Sequence, residues 1–210
     1  MPAHDLHVAL LDHLSRPLED RALGDRRRRL LAAARGRVLD VGAGTGANLA
    51  HYRDVDTVVA LEPDPAAARR LHRRVEEAVV PVEVVEAGIG DAVFDATPFD
   101  TIVCTLVLCT VPDLDAALTR LRGLLAPGGR LLFLEHIRAL GAWGRVQRLA
   151  TPAWRAVVPG CHLDRDTLGA LRRTGFIVTD CEHFTMPFVH SRMGAAVQGA
   201  ARLSHRAPWQ

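Results

Sequence analysis

The sequence predicts an α/β fold, in which a parallel β-sheet carries helices on both of its faces. From residue 37 onward, apolar runs rich in β-branched residues alternate with amphipathic helical stretches, and this alternation is typical of such sheets. A glycine-rich loop follows the first run directly, as expected where a strand leads into a sharp turn. The chain has 210 residues, 49% apolar and 24% charged, which suits one domain with a well-buried core.

Short apolar runs mark the predicted parallel strands. In chain order these are Arg37–Val41, Thr57–Leu61, 82–86, 101–106 and 130–134. Two further runs, at 176–184 and 193–200, are candidate closing strands, although the second also has the composition of a helix.

Helices are predicted between the strands and ahead of them. One is expected to start after Gly46, a second follows the Pro-Asp-Pro at 63–65, and a third covers 113–125, where leucines recur at helical spacing. The PGG at 127–129 is expected to end the third helix, and two aspartates at 164 and 166 to open another. Residues 1–35 predict an N-terminal helical cap, and residues 36–210 the main domain.

The charge pattern argues against several classes of partner. A formal net charge of +2 is too small to indicate nucleic acid or a membrane surface as a partner. The run DRRRR at residues 25–29 suits either a phosphate-binding patch or a solvated helix face, and we predict the solvated face.

The cysteines at 104, 109, 161 and 181 form no CxxC pair and no zinc-ligand spacing, so we expect no metal site and reduced thiols in a cytoplasmic protein. The longest apolar run, at 102–111, is shorter than the roughly 20 residues that cross a bilayer. The first residues contain no apolar segment typical of a signal peptide.

The loop VLDVGAGTG at residues 38–46 predicts a nucleotide site. Its glycines alternate, whereas a dinucleotide fingerprint places a third glycine where this chain has Ala47. Asp40, just ahead of the loop, would repel a pyrophosphate but attract a cationic amine or sulfonium. Glu62 ends the second strand, where a carboxylate accepts hydrogen bonds from both hydroxyls of a ribose.

With the stretch LRGLLAPGGRLLF at 121–133, these residues resemble class I S-adenosylmethionine-dependent methyltransferases. VLDVGAGTG matches the nucleotide loop of that family, VVALEPDP at 58–65 its ribose strand and FDTIVCTLVLC at 99–109 its fourth strand. The resemblance implies a doubly wound, seven-stranded, mostly parallel sheet with the last strand antiparallel. It also implies S-adenosylmethionine as the methyl donor and S-adenosylhomocysteine as the product.

A narrower resemblance is to the thiol S-methyltransferases of the methyltransferase-like group. TLVLCTV, LEHIR at 134–138, a tryptophan-bearing stretch and GCHLDRDT at 160–167 carry it. The chain departs from the group at Ala126, where arginine is common, and at Ile89, where an acid is common. The hydrophobic N-terminal anchor of the animal members is also missing, so membrane association is not expected.

The resemblance implies a set of cofactor-binding residues after the predicted strands. They are Asp40, Gly42, Ala43, Gly44, Thr45, Asn48, Glu62, Pro63, Gly88, Ile89, Cys104, Thr105 and Leu106.

Methyl transfer to a thiol also needs a base and an acceptor pocket. His136 and His162 are the candidate bases, because an imidazole titrates near neutral pH. The candidate acceptor-binding residues are Trp143, Trp154, Cys161, Phe184 and Met186.

The sequence therefore predicts methyl transfer to a small-molecule acceptor, most simply a hydrophobic thiol, by a monomer or homodimer. An O-, N- or C-methyltransferase of specialised metabolism is the alternative within enzymes. A dinucleotide oxidoreductase and a cofactor-binding protein that does not methylate are the alternatives in other classes.

Overall fold

Seven strands form one sheet in the computed structural model of the chain, which describes residues 23–158, 160–186 and 193–204. The strands are β1 (Arg37–Val41), β2 (Thr57–Leu61), β3 (Val82–Val85), β4 (Phe99–Thr105), β5 (Leu125–His136), β6 (Phe176–Thr185) and β7 (Ala195–Leu203). They lie in the order β3-β2-β1-β4-β5-β7-β6, and β7 runs antiparallel to both of its neighbours while the other pairs are parallel. The predicted doubly wound sheet is confirmed.

Helices cover both faces of this sheet. They are α1 (residues 23–31), α2 (Pro65–Val75), α3 (Leu114–Leu124), α4 (Ala142–Val157) and α5 (Thr167–Arg173). Apolar side chains of α1 and α2 pack on one face, and those of α3 and α5 pack on the other. The helix α1 lies within the predicted N-terminal cap, of which residues 1–22 are outside the described residues.

Aspartates start three of these helices. The side chains of Asp64, Asp113 and Asp166 accept hydrogen bonds from backbone N–H groups in the first turns of α2, α3 and α5, which satisfies donors that have no partner inside a helix. In the described part of the chain, no helix is long and apolar enough to span a bilayer.

Two local predictions were wrong. After Gly46 the chain forms only a short 3₁₀ turn, Leu49–His51, because Asn48 turns its amide into the interior and Tyr52 is fully buried before β2 begins. The PGG at 127–129 does not end α3, which stops at Leu124; it lies inside β5, beside a register shift in the pairing of β4 with β5.

Candidate functional site

The glycine loop leaves its backbone open on one side. Gly42, Gly44 and Gly46 have φ values of 63°, 58° and 89°, a conformation that side chains with a Cβ rarely adopt. A Cβ on Gly42 would overlap the side chain of Val107, so this glycine permits the loop to pack against the segment after β4. Around Gly44 the nearest atom to such a Cβ is Gly42 O at 4.0 Å, which leaves room for a ligand against the backbone.

Glu62 is held rigidly beside this opening. Its Oε2 accepts a hydrogen bond from Gly44 N at 2.8 Å, and its Oε1 accepts one from Asp64 N at 2.8 Å. Burial raises the pKa of Glu62, and these two backbone donors oppose the shift. Because each carboxylate oxygen has a second lone pair, the side chain fits the paired hydroxyls of a ribose.

Asp40 anchors a buried polar network behind the loop. Asn48 Nδ2 donates to Asp40 Oδ1 at 2.9 Å and to Thr105 Oγ1 at 3.0 Å. Arg27 Nη1, from α1, donates to Asn48 Oδ1 at 2.8 Å and to Thr105 Oγ1 at 3.2 Å. The network therefore joins the loop after β1, the end of β4 and the N-terminal helix.

The side chain of Asp40 titrates close to neutral pH. Burial raises its pKa to about 6, although Asn48, Tyr52 and Arg27 all act to lower it. At pH 7 the group is a buried carboxylate with a cation beside it, and a cationic ligand nearby would stabilise its charged form further.

The prediction of a solvated arginine face was wrong for two residues. Arg27 is buried in the network above, and the guanidinium of Arg26 lies 3.9 Å from the centre of the Phe184 ring while it pairs with Glu182. Arg28, by contrast, makes an exposed pair with Asp25. Arg27 lies four residues after Leu23 and three before Leu30, both buried, so helical spacing could have indicated that it shares the apolar face of α1.

The other predicted cofactor residues also follow strands at the carboxyl edge of the sheet. Ala43 is buried, Thr45 Oγ1 accepts a hydrogen bond from Arg74 Nη1 at 2.9 Å, and Pro63 is exposed just beyond β2. After β3, Gly88 is half-buried and Ile89 packs into the core.

The end of β4 contributes three neighbouring residues. Cys104 is fully buried, and burial raises the pKa of its thiol well above the ordinary value, which disfavours the nucleophilic thiolate form. Thr105 belongs to the Asp40 network. Leu106 has a φ of 57°, a strained conformation for a residue with a branched side chain.

Glu135, which sequence reasoning did not single out, supports this segment. Its Oε1 accepts hydrogen bonds from Val107 N at 3.0 Å and Leu108 N at 2.9 Å, and its Oε2 accepts one from Cys109 N at 3.2 Å. Burial raises the pKa of Glu135 to about 7, against the effect of these donors. This carboxyl therefore fixes the turn that follows Leu106.

His136 lies in a buried group with two cysteines. Its Nδ1 is 3.6 Å from Cys161 Sγ, and Cys161 Sγ is 3.8 Å from Cys109 Sγ. The hydrogen bond between the two thiols lowers the pKa of Cys161, which His136 and Trp154 lower further, and it raises the pKa of Cys109. The other ring nitrogen of His136, Nε2, is buried without a hydrogen-bond partner.

His162 lies at a surface depression rather than in the buried group around His136. Its backbone N–H donates to Cys109 O at 2.9 Å, and its ring borders a surface depression of about 480 Å³ that includes Asp113 and Arg173. Burial, with Arg165 and Arg155, lowers the pKa of its imidazole. The structure therefore does not bring the two predicted bases into one pocket.

A larger groove lies at the carboxyl end of β5. It has a volume of about 700 Å³ and is lined by Trp143, Phe184, His183 and residues of α5. Of the five predicted acceptor residues, Trp143 and Phe184 line this groove, whereas Trp154 and Cys161 belong to the group around His136. Met186 packs against Leu23 and Ala196.

Residues 14–179 match a family model described as a methyltransferase domain. The chain belongs to the methyltransferase domain family. This membership confirms the resemblance to class I S-adenosylmethionine-dependent methyltransferases and shows an enzyme of that class, which removes the oxidoreductase alternative.

Two human relatives show how far the similarity extends. The human thiol S-methyltransferase TMT1A is 32% identical over 160 residues, which are 71% of this chain and 64% of that protein. The human thiol S-methyltransferase TMT1B is 30% identical over 203 residues, 88% of this chain and 81% of that protein. The chain thus spans just under two thirds of TMT1A.

Solved structures share the fold at lower identity. The DhpI–SAH complex has a TM-score of 0.65 at 19% identity, covering 96% of this chain and 94% of that one. The N-methyltransferase NodS from Bradyrhizobium japonicum has a TM-score of 0.63 at 16% identity, covering 85% and 86% of the two chains. At such identities the match concerns the fold.

Proposed function

We propose that this methyltransferase transfers the methyl group of S-adenosylmethionine to the sulfur of a small hydrophobic thiol. The observation that carries the donor half of the proposal is Glu62, fixed by Gly44 N and Asp64 N beside an open glycine backbone. The acceptor half rests on the groove at the end of β5, whose aromatic and apolar walls are joined by Arg138, Arg165 and Arg172, and on two relatives that are named thiol S-methyltransferases.

The proposed donor-binding residues contact different chemical parts of S-adenosylmethionine. Glu62 receives the ribose hydroxyls, and Gly88 with Ile89 borders the adenine. Asp40 faces the cationic part of the methionine, while Arg27 supplies a guanidinium for its carboxylate. When bound, S-adenosylmethionine supplies a methyl group already activated on a sulfonium, so the chain has mainly to position a nucleophile in line with it.

The groove suits an apolar acceptor. Trp143 and Phe184 offer aromatic walls, the lining that small hydrophobic ligands prefer. Phe184 and Leu106 pack against one cluster of buried side chains, that of Leu23, Met186 and Ala196. This shared packing supports a groove that adjoins the end of β4, where the methyl group is expected.

We propose that His183, which lines the groove, accepts the proton of the acceptor thiol. The sulfur of the acceptor forms the new bond to carbon, the sulfonium carbon–sulfur bond breaks, and the thiol proton passes to the imidazole and then to water. His136 is less suited because its free nitrogen is sealed from solvent, and His162 is less suited because it faces another depression. Asparagine variants of His136, His162 and His183, each made separately and assayed for methyl transfer across pH, test which histidine accepts the proton.

The test is transfer of labelled methyl from S-adenosylmethionine to a panel of hydrophobic thiols, phenols and amines. We expect label on sulfur, with mass spectrometry identifying the thioether and S-adenosylhomocysteine. Label only on oxygen or nitrogen would reject the thiol acceptor and leave the methyltransferase class unchanged. The Glu62→Gln variant serves as the low-activity control.

A further inference from the structure

We propose that Cys109, His136 and Cys161 form a binding site for a zinc ion. Their three candidate ligand atoms lie within 4.8 Å of one another, and all three residues are buried. The sequence predicted no metal site, because these residues follow β4, end β5 and follow α4, with no short spacing between them. The fold alone brings them together.

Two of the three separations between the ligand atoms match those of a tetrahedral zinc centre. With zinc–sulfur bonds of about 2.3 Å and zinc–nitrogen bonds of about 2.0 Å, tetrahedral geometry separates two sulfurs by about 3.8 Å and sulfur from nitrogen by about 3.5 Å. The observed separations are 3.8 Å for Cys161 Sγ to Cys109 Sγ and 3.6 Å for Cys161 Sγ to His136 Nδ1. The third pair, Cys109 Sγ and the His136 ring nitrogen, is separated by no more than 4.8 Å, so a side-chain shift of about 1 Å would bring it to the tetrahedral separation of about 3.5 Å.

Backbone hydrogen bonds fix each ligand independently of a metal. Cys109 N donates to the Glu135 carboxylate, and Cys109 O accepts from His162 N, which ties the first ligand to the segment of the third. Cys161 N donates to Val158 O at 3.1 Å. His136 is the last residue of β5 and pairs with Ala196 in β7. Sites held in this way lose little entropy when an ion binds.

The charges also balance. Two thiolates and a neutral imidazole compensate the charge of Zn²⁺, so the occupied site is neutral, as a buried group should be. Thiolate and imidazole are the ligands that zinc prefers over hard cations such as Mg²⁺. The Glu135 carboxylate is already occupied by three backbone N–H groups, which leaves the Cys₂His set as the ligands and one coordination position for water or another donor.

The first experiment measures metal content. Full-length protein, purified in the presence of reductant and without chelator, is analysed by inductively coupled plasma and native mass spectrometry. We expect about one zinc per chain, and after exchange to Co²⁺ the thiolate-to-cobalt charge-transfer bands of a tetrahedral site. Protein that carries no zinc, and that binds neither Zn²⁺ nor Co²⁺ at micromolar concentrations when supplemented, would overturn the proposal.

Single variants locate the ion. Cys109→Ser, Cys161→Ser and His136→Asn are each expected to lose the metal and the cobalt bands, whereas Cys181→Ser, on β6 and outside the group, keeps both. Should a ligand variant fold poorly, chelator treatment of the natural chain replaces it: loss of zinc is then expected to lower Tm, and added Zn²⁺ to restore it. Zinc that persists in all three variants, or a Cys109–Cys161 disulfide in metal-free protein with reductant present, would contradict the site.

Discussion

The two halves of the carboxyl edge of the sheet are built differently. The donor half comprises the ends of β1, β2 and β4. There, buried carboxylates accept hydrogen bonds from backbone and side-chain N–H groups, and the adjoining glycines have positive φ. At the acceptor half, around β5, β6 and β7, the groove is open and its walls come from α4, α5 and two strands. The donor half is therefore closely packed around carboxylates with fixed hydrogen-bond partners, and the acceptor half is an open groove between several segments.

This difference indicates which half tolerates change. A side chain added at Gly42 or Gly46 of the donor loop meets packed atoms, whereas a side chain changed in the groove alters mainly its shape. Substitutions at the donor half are thus expected to affect cofactor binding and folding together, and substitutions at the groove to affect acceptor choice alone.

The largest effect is expected from Gly42→Ala. The new Cβ requires a φ of 63° and overlaps Val107, which together should cost about 3 kcal/mol of folding stability. Because the loop must shift to relieve the overlap, donor affinity should fall as well, by up to about 100-fold. Calorimetric titration with S-adenosylhomocysteine measures the affinity. Gly123→Ala, an exposed position on α3 with open space around it, is the matched control, and Val107→Ala in the same chain should restore part of the loss. Normal affinity in Gly42→Ala would refute the packed loop.

The next effect is that of Glu62→Gln. Because Glu62 is proposed to bind the ribose, loss of its charge should weaken donor binding by about 10- to 100-fold, with the KM of the acceptor unchanged. The exposed Glu86, which follows β3 and pairs with His72, provides a control through Glu86→Gln. An unchanged dissociation constant for Glu62→Gln would remove the ribose role from this residue.

Arg27→Met distinguishes the buried arginine from its exposed neighbours. The substitution keeps the apolar stem but removes the hydrogen bonds to Asn48 and Thr105, so donor affinity should fall about tenfold. Arg28→Met should have almost no effect. Equal effects of the two substitutions in parallel titrations would show that α1 does not contribute to the cofactor site.

Donor affinity should also depend on pH through Asp40. Because its pKa is about 6, the carboxylate is charged at pH 8 and largely protonated at pH 5, where affinity for a cationic ligand should be about tenfold weaker. The free energy of unfolding of the ligand-free protein should change in the opposite direction. Because folding raises the pKa of this carboxyl, stability should decrease as the pH rises from about 4 through about 6. In Asp40→Asn, both dependences should become weaker, and unaltered pH profiles would assign them to another group.

The smallest effect is expected at the groove. Trp143→Ala should raise the KM for bulky thiols about three- to tenfold while leaving donor affinity unchanged, because only apolar contacts with the acceptor are lost. Leu149→Ala, at an exposed position of the same helix, is the control. A changed donor affinity in Trp143→Ala would show that the two halves are coupled.

Several features of the fold and of the donor half were predictable because the determining residues lie close together in the chain. The glycine loop follows β1 directly, and Glu62 follows β2, so strand ends and acids could be recognised from local pattern alone. The division into an N-terminal cap at residues 1–35 and a main domain at residues 36–210, the cytoplasmic location and the oligomeric state stay predictions. The helical spacing of Arg27 from Leu23 and Leu30 could have indicated that it lies on the apolar face of α1, but no local pattern indicated that it would reach Asn48 and Thr105.

The acceptor half was less predictable for the opposite reason. His183 lies on β6, far in the chain from Trp143, and Glu135 reaches backbone groups that belong to another segment. A preference for apolar side chains grouped Trp143, Phe184 and Trp154 as predicted acceptor residues, whereas only the first two line the groove and Trp154 lies beside Cys161.

The sequence by itself determined the order of strands and helices, the glycine turn and the acids at strand ends, since these depend on short-range backbone preferences and on periodicity. Only the tertiary structure decided that Arg27 enters the Asp40 network and that Cys109, His136 and Cys161 meet. Such contacts depend on how helices and strands far apart in the chain are packed against the sheet, and local preference contains no information about that placement.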